Sequence, residues 1–185
     1  MPGEIGVAQA MAGRGAGPIV GGHGGLLVKR FEGFNAGPRR GIAGRRRDAV
    51  EALARALDLP SRVFGLDDPR DLRRGLDGVS AVLHAAGPFS RTSAPMVDAC
   101  LDVRAHYLDI TGEIPVFEAC AARQAAAAAA GVVLLPGTGF DVVPSDCLAA
   151  HLHRRLPSAE RLALGFHNRG GVSRGTMATM IDNID

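Results

Sequence analysis

The chain has 185 residues, 46% of them hydrophobic and 22% charged, with a formal net charge of +2. That is the composition of one globular domain, or of one domain and the start of a second, and it excludes a disordered chain. The longest run free of charged or strongly polar residues, Ala125 to Leu135, falls well short of the roughly 20 residues a membrane-spanning helix needs, and no secretory signal opens the chain.

In chain order, residues 1–17 are rich in Gly and Ala without sustained periodicity and read as a flexible leader. From Pro18 short apolar runs alternate with segments of helical period, the pattern of a parallel sheet flanked by helices. Pro18 to Val20 is a strand stub, followed by the glycine cluster Gly21, Gly22, Gly24 and Gly25. Leu26 to Phe34 is predicted as a helix. Gly41 to Gly44 is a short buried strand. Asp48 to Leu57 is a helix whose Val50, Leu53, Ala54 and Leu57 share one face. Arg62 to Leu66 is a strand, and Pro69 opens a short helix reaching Leu76. Val79 to Ala86 is a strand, Pro95 starts a helix through Leu101, and His106 to Ile110 is a strand. Ile114 to Ala130 is one long alanine-rich helix closed by Gly131. Val132 to Leu135 is the most strand-like run. Leu148 to Leu156 is a helix, Leu162 to Phe166 a strand, and a further helix begins at Gly175 and is cut off near Ile184. The expected architecture is α/β: a doubly wound, Rossmann-like, mostly parallel sheet with helices on both faces over residues 18–157. Residues 158–185 would begin a second α+β domain of a longer, here truncated, protein.

Three features point to a nucleotide. Between a strand and an apolar helix, Gly21, Gly22, Gly24 and Gly25 would allow a tight turn and close backbone approach to a diphosphate, with a helix N-terminus supplying free N–H groups. The spacing departs from G-x-G-x-x-G, because the third glycine arrives two residues early. After the next strand, where an NAD site carries an acidic residue, stand Arg45, Arg46 and Arg47. Guanidiniums there suit the 2′-phosphate of NADP. Finally, the strand running into Ala85-Ala86-Gly87-Pro88 ends in small residues that let the backbone pass close to a flat ligand. Asp67, after the third strand, lies on the same edge and could meet the adenine or its ribose. Charge agrees in sign: residues 1–47 hold eight basic and two acidic residues, the remainder thirteen and seventeen. Only one of the basic residues is lysine.

Assembled, these pieces resemble the NADP-binding domain of the saccharopine dehydrogenase-like oxidoreductases, including their trans-acting enoyl reductase branch. The likeness is carried by Ile42-Ala43-Gly44-Arg45-Arg46, Ala85-Ala86-Gly87-Pro88-Phe89-Ser90, His106-Tyr107-Leu108-Asp109-Ile110-Thr111-Gly112-Glu113, and Leu135 through Asp146. It implies an NADP(H)-binding Rossmann domain followed by a mixed α+β domain for substrate and dimer contacts. The expected activity is NADP-dependent hydride transfer to a small-molecule or acyl substrate. The cofactor-binding residues expected are Gly21, Gly22, Gly24, Gly25, Arg45, Arg46, Asp67, Ala86, Gly87 and Pro88. The alternative is a non-catalytic Rossmann-like fragment that has lost cofactor binding or turnover.

No residue is singled out as catalytic. His106, Tyr107, Asp109, Thr111 and Glu113 are candidates near the nicotinamide end; alternatively His106 and Tyr107 pack and Glu113 caps the following helix. Asp141 and Asp146 would shape a substrate pocket or cap the helix near Ser145. Gly171-Val172-Ser173-Arg174-Gly175 fits G-x-S-x-G, but lacks a strand directly before it and a histidine after it, which argues against a hydrolase. His151 and His153 diverge on a helix and form no metal pair. One tyrosine and no tryptophan argue against nucleic-acid binding. Cys100, Cys120 and Cys147, widely spaced, suit buried thiols in a reducing, cytoplasmic setting.

Overall fold

A computed structural model of the chain describes residues 26–30, 39–140 and 142–165. Among these described residues six strands and six helices follow one another: β1 (Leu26–Arg30), β2 (Arg39–Gly44), α1 (Arg47–Leu57), β3 (Ser61–Val63), α2 (Pro69–Gly75), β4 (Ala81–His84), α3 (Phe89–Val103), β5 (His106–Asp109), α4 (Ile114–Ala121), α5 (Gln124–Ala130), β6 (Leu134–Leu135) and α6 (Val143–Arg155). They form one sheet in the order β3-β2-β1-β4-β5-β6. β2 pairs parallel with β3, β4 with β5 and β5 with β6, whereas β1 runs antiparallel to both β2 and β4. Two strands each antiparallel to β1 are parallel to one another. Every strand but β1 therefore delivers its carboxyl end to the same edge, the edge where open α/β sheets bind ligands.

Alternation along the strands assigns the two faces. Successive side chains of a strand point to opposite sides. On β2, Ile42 packs with Val50 and Ala54 of α1. Ala43 joins the larger cluster on the other side, built from Leu72, Val82, Met96, Cys100, Tyr107 and Val116. Helix α1 thus covers the β2–β3 end of one face, and α2, α3 and α4 cover the opposite face. The helix ends follow from local chemistry. Asp68 accepts a hydrogen bond from Arg70 N at 2.8 Å, capping α2 just ahead of Pro69. Arg62, reaching from β3, donates to the carbonyls of Gly75, the last residue of the same helix, and Asp77 just beyond it at 2.7 and 2.8 Å. Gly131, at φ +70°, closes α5 in the left-handed conformation.

The structure departs from the sequence-based elements at five places, one being that the helix expected from Leu148 already starts at Val143. Leu26–Arg30, expected as the start of a helix, is strand β1; a segment this short fits either element, and pairing on both sides decides it. Helix α3 starts at Phe89, well before Pro95, which sits inside it. Pro88 is the residue that precedes the first turn, with Thr92 N donating to its carbonyl at 3.2 Å. The alanine-rich helix is two, α4 and α5, separated where Arg123 reaches across to Asp98 of α3 at 2.8 Å and back to the Ala119 carbonyl at 3.0 Å. Alanine propensity carries no information about such an anchor. Residues 162–165 form no strand. The glycine cluster, residues 18–20, and the segments beyond Gly165 lie outside the described residues. Among the described residues no helix is long and apolar enough to cross a membrane.

Candidate functional site

The carboxyl edge gathers most of the residues expected to contact a nucleotide. β2 ends at Gly44, and the chain passes through Arg45 and Arg46 into α1. Arg45, Arg46 and Arg47 are all exposed. Arg46 is the N-cap of α1 and makes no side-chain capping bond, while Arg47 pairs with Glu51 at 3.0 Å. Exposed Asp67 lies on the loop that leaves β3. Ala86, Gly87 and Pro88 lie between β4 and α3. Gly21, Gly22, Gly24 and Gly25 lie outside the described residues, as does Asp141. The strand that follows the glycines does start at this edge: Leu26 stands opposite Ala43 on one side and His84 on the other.

The β4, β5 and β6 loops are tied together by buried polar groups. Asp109, fully buried at the end of β5, accepts from Thr111 N at 3.0 Å and Gly137 N at 2.8 Å through Oδ1, and from the Tyr107 hydroxyl at 2.7 Å through Oδ2. Its carbonyl accepts from Thr138 N at 2.7 Å and from the Thr138 hydroxyl at 2.6 Å. Thr111 Oγ1 then accepts from Glu113 N at 3.0 Å. The Glu113 carboxylate crosses to α3 and accepts from Phe89 N at 3.1 Å and Ser90 N at 2.7 Å. A buried carboxylate filled with N–H donors is held in one orientation, and each such charge-assisted bond is stronger than a neutral one.

A second tie lies beneath the β4–α3 loop. The Thr92 hydroxyl lies 2.6 Å from the Ala86 carbonyl and 3.0 Å from that of Pro88, and 3.0 Å from His84 Nε2. Its single proton goes to a carbonyl, so His84 donates through Nε2 and keeps a bare Nδ1. That Nδ1 is buried with no hydrogen-bond partner. The ring sits edge-on to Phe89, centroids 5.6 Å apart, and burial lowers its pKa from 6.5 to about 4.

This geometry sorts the proton-transfer candidates. Tyr107 is fully buried in the α3 core, and burial together with the Asp109 carboxylate pushes its pKa far above the ordinary value. It is built in as a donor to Asp109 and is no acid for a ligand at the edge. His106 opens β5, at the opposite end of the strand, where its Nδ1 accepts from Val133 N at 3.0 Å. Glu113 holds the N-cap position of α4 through its backbone but its side chain makes no capping bond there; the helix its carboxylate caps is α3. Asp146 is exposed in the first turn of α6. Burial raises the Cys100 thiol to about 12 and that of Cys120 to about 11, whereas Cys147 is exposed rather than buried. Sequence reading named neither Thr92 nor the Gly137–Thr138 pair as part of the site. No spacing rule links Thr92 to a loop four residues upstream, and the Asp109–Gly137 contact spans two elements.

Comparison with known proteins agrees with this architecture. Residues 15–135 match the family model of the saccharopine dehydrogenase NADP binding domain. A trans-acting enoyl reductase of Mycobacterium ulcerans (strain Agy99) is 32% identical over 160 residues, which cover 76% of this chain and 37% of that protein. A trans-acting enoyl reductase of Mycobacterium leprae (strain TN) is 33% identical over 102 residues, covering 55% of this chain and 24% of that protein. The chain therefore spans well under half the length of these relatives. Among solved structures, apo histidine-tagged saccharopine dehydrogenase (L-Glu forming) from Saccharomyces cerevisiae superposes with a TM-score of 0.54 at 15% identity, over 63% of this chain and 25% of that one. At that identity the likeness is one of fold: a Rossmann-like α/β sheet.

Proposed function

Because the chain belongs to the saccharopine dehydrogenase NADP-binding domain family, we propose that it is the nucleotide-binding part of an NADP-dependent oxidoreductase, with the dinucleotide laid along the carboxyl edge of the sheet. The observation that carries this reading is the placement of Arg45 and Arg46 at the carboxyl end of β2, exposed beside an α1 N-terminus that has no side-chain cap. An anion there meets guanidiniums and the positive end of a helix together, which is the chemistry a 2′-phosphate requires. Asp67, on the next loop, would meet the adenosine. The Ala86-Gly87-Pro88 loop would lie under the nicotinamide half. Packing does not call for glycine at position 87: a Cβ would meet Phe89 Cε2 at 3.5 Å, ordinary contact, so its small size leaves room for a ligand's approach.

When bound, NADP(H) supplies the hydride. This chain's own residues hold and orient it: Arg45 and Arg46 select the phosphorylated ribose, and the buried network at Asp109 fixes the loops. The substrate, a small molecule or acyl group, and any homodimer contacts would be met by a second α+β domain of the kind the family resemblance implies. A reducing, cytoplasmic setting is supported by the three free cysteines.

One observation favours a second reading, a Rossmann-like fragment without cofactor binding. The residues after the glycine cluster form strand β1 rather than the helix whose N-terminus would face a diphosphate. Fluorescence titration separates the two. NADPH binding in the micromolar range, much weaker NADH binding, and a loss of about tenfold or more in NADPH affinity on Arg45→Ala support the oxidoreductase reading. Absence of binding by either nucleotide supports the fragment.

A further inference from the structure

We infer that Glu113 is a positioning residue for the nicotinamide half of the site: by occupying the N-terminus of α3 from the neighbouring loop, its carboxylate sets the Ala86-Gly87-Pro88 segment in place. The inference rests on the nucleotide-binding reading above and deepens it.

Glu113 belongs to the loop after β5 and precedes α4, yet its carboxylate oxygens meet Phe89 N at 3.1 Å and Ser90 N at 2.7 Å, in the first turn of α3. The residue is 7% exposed. A carboxylate at a helix N-terminus satisfies donors that have no intrahelical partner and faces the positive end of the helix dipole. Here the acceptor comes from another element, so the bond fixes the relation of two loops rather than merely ending a helix. Its own loop is held in turn. Glu113 N donates to Thr111 Oγ1, and Thr111 N donates to the buried Asp109 carboxylate, which also holds Gly137 N. From the other side, Thr92 lies within hydrogen-bonding distance of the Ala86 and Pro88 carbonyls. The β4–α3 segment is therefore gripped at both ends, its carbonyls by Thr92 and the N–H groups just beyond it by Glu113.

Two consequences follow. The α3 N-terminus already holds an anion, so it is not where a phosphate of the dinucleotide sits; phosphates belong to the β2 side, with Arg45 and Arg46. The β4–α3 segment meets its ligand by shape, through Ala86, Gly87 and Pro88, and a shape contact is only as good as the placement of the backbone that makes it.

The test uses two ligands that differ in the half they occupy. NADPH spans the whole edge; adenosine 2′,5′-bisphosphate carries only the half expected at Arg45 and Arg46. Affinities are measured by calorimetry for the full chain, as wild type, Glu113→Gln and Glu113→Ala, with melting temperatures recorded alongside. The expected result is an NADPH affinity reduced about tenfold in Glu113→Ala and less in Glu113→Gln, which keeps one acceptor oxygen, with bisphosphate affinity unchanged in both. Formate at tens of millimolar, able to refill the emptied position, recovers part of the NADPH affinity of Glu113→Ala and does nothing for wild type. Equal weakening of both ligands, or no weakening of either, overturns the positioning role. Failure of the wild-type chain to bind either ligand overturns the nucleotide-binding reading itself, an outcome distinct from the other two.

Discussion

His84 shows most plainly how a single residue couples this site to stability. Its ring is buried against Phe89, with one nitrogen engaged by Thr92 and the other bare. Protonation would place a second donor where none of the neighbours accepts it, and burial accordingly holds the folded pKa at about 4 against 6.5 for a free ring. Between those values the unfolded chain binds more protons than the folded one, so stability falls as pH falls. The full effect of this ring, about 3 kcal/mol, is reached near pH 4, and above pH 6.5 it vanishes. Urea unfolding of wild type and His84→Gln from pH 7 to pH 4.5 checks the sign. Carboxylates contribute to both curves, so the difference between them isolates the ring. Parallel curves would mean that His84 finds a partner for its second proton.

At the scale of elements, the loops matter more than the strands they leave. Gly137, after β6, and Gly131, after α5, have nearly the same positive backbone angle, +74° and +70°. A Cβ at Gly131 would meet nothing within 4 Å, while one at Gly137 would lie 2.5 Å from Phe117 Cζ and 3.4 Å from the Thr111 carbonyl. Gly131→Ala is therefore expected to cost only the backbone preference, about 1 kcal/mol, and Gly137→Ala about 3 kcal/mol, because α4 and the loop after β5 must shift as well. Denaturation midpoints measure both; equal losses would show that Phe117 swings aside freely. The same contrast explains what the sequence disclosed. Helix α1 was readable from Val50, Leu53, Ala54 and Leu57 on one face, and β4 from its apolar run. Arg45, Arg46 and the Gly87-Pro88 turn could be assigned to loops after strands, because turn chemistry is local. The Asp109–Gly137, Glu113–Ser90 and Arg123–Asp98 bonds were not readable, since each joins residues more than twenty positions apart. Nor could a five-residue run such as Leu26–Arg30 declare itself strand or helix, let alone reveal that it pairs antiparallel on both sides.

Over the whole molecule, the order β3-β2-β1-β4-β5-β6 means the chain builds outward from β1 on one side, then returns beside β1 and builds outward on the other. The carboxyl edge at that reversal is where a ligand of an open α/β sheet can touch both halves. Reversal of β1 leaves this geometry intact, because the edge is defined by the carboxyl ends of β2 and β4, which still point the same way. A dinucleotide crossing the reversal should therefore protect amides on both sides, in the first turn of α1 at Arg47 and Asp48 and in the loop after β5 at Ile110 and Gly112. Adenosine 2′,5′-bisphosphate should protect only the former. With NADPH at one hundred times its Kd, hydrogen exchange through openings that release the ligand should slow by up to about a hundredfold. Protection by NADPH confined to one half would mean that the ligand does not cross at β1, and that the arginines and the Gly87-Pro88 turn serve different molecules.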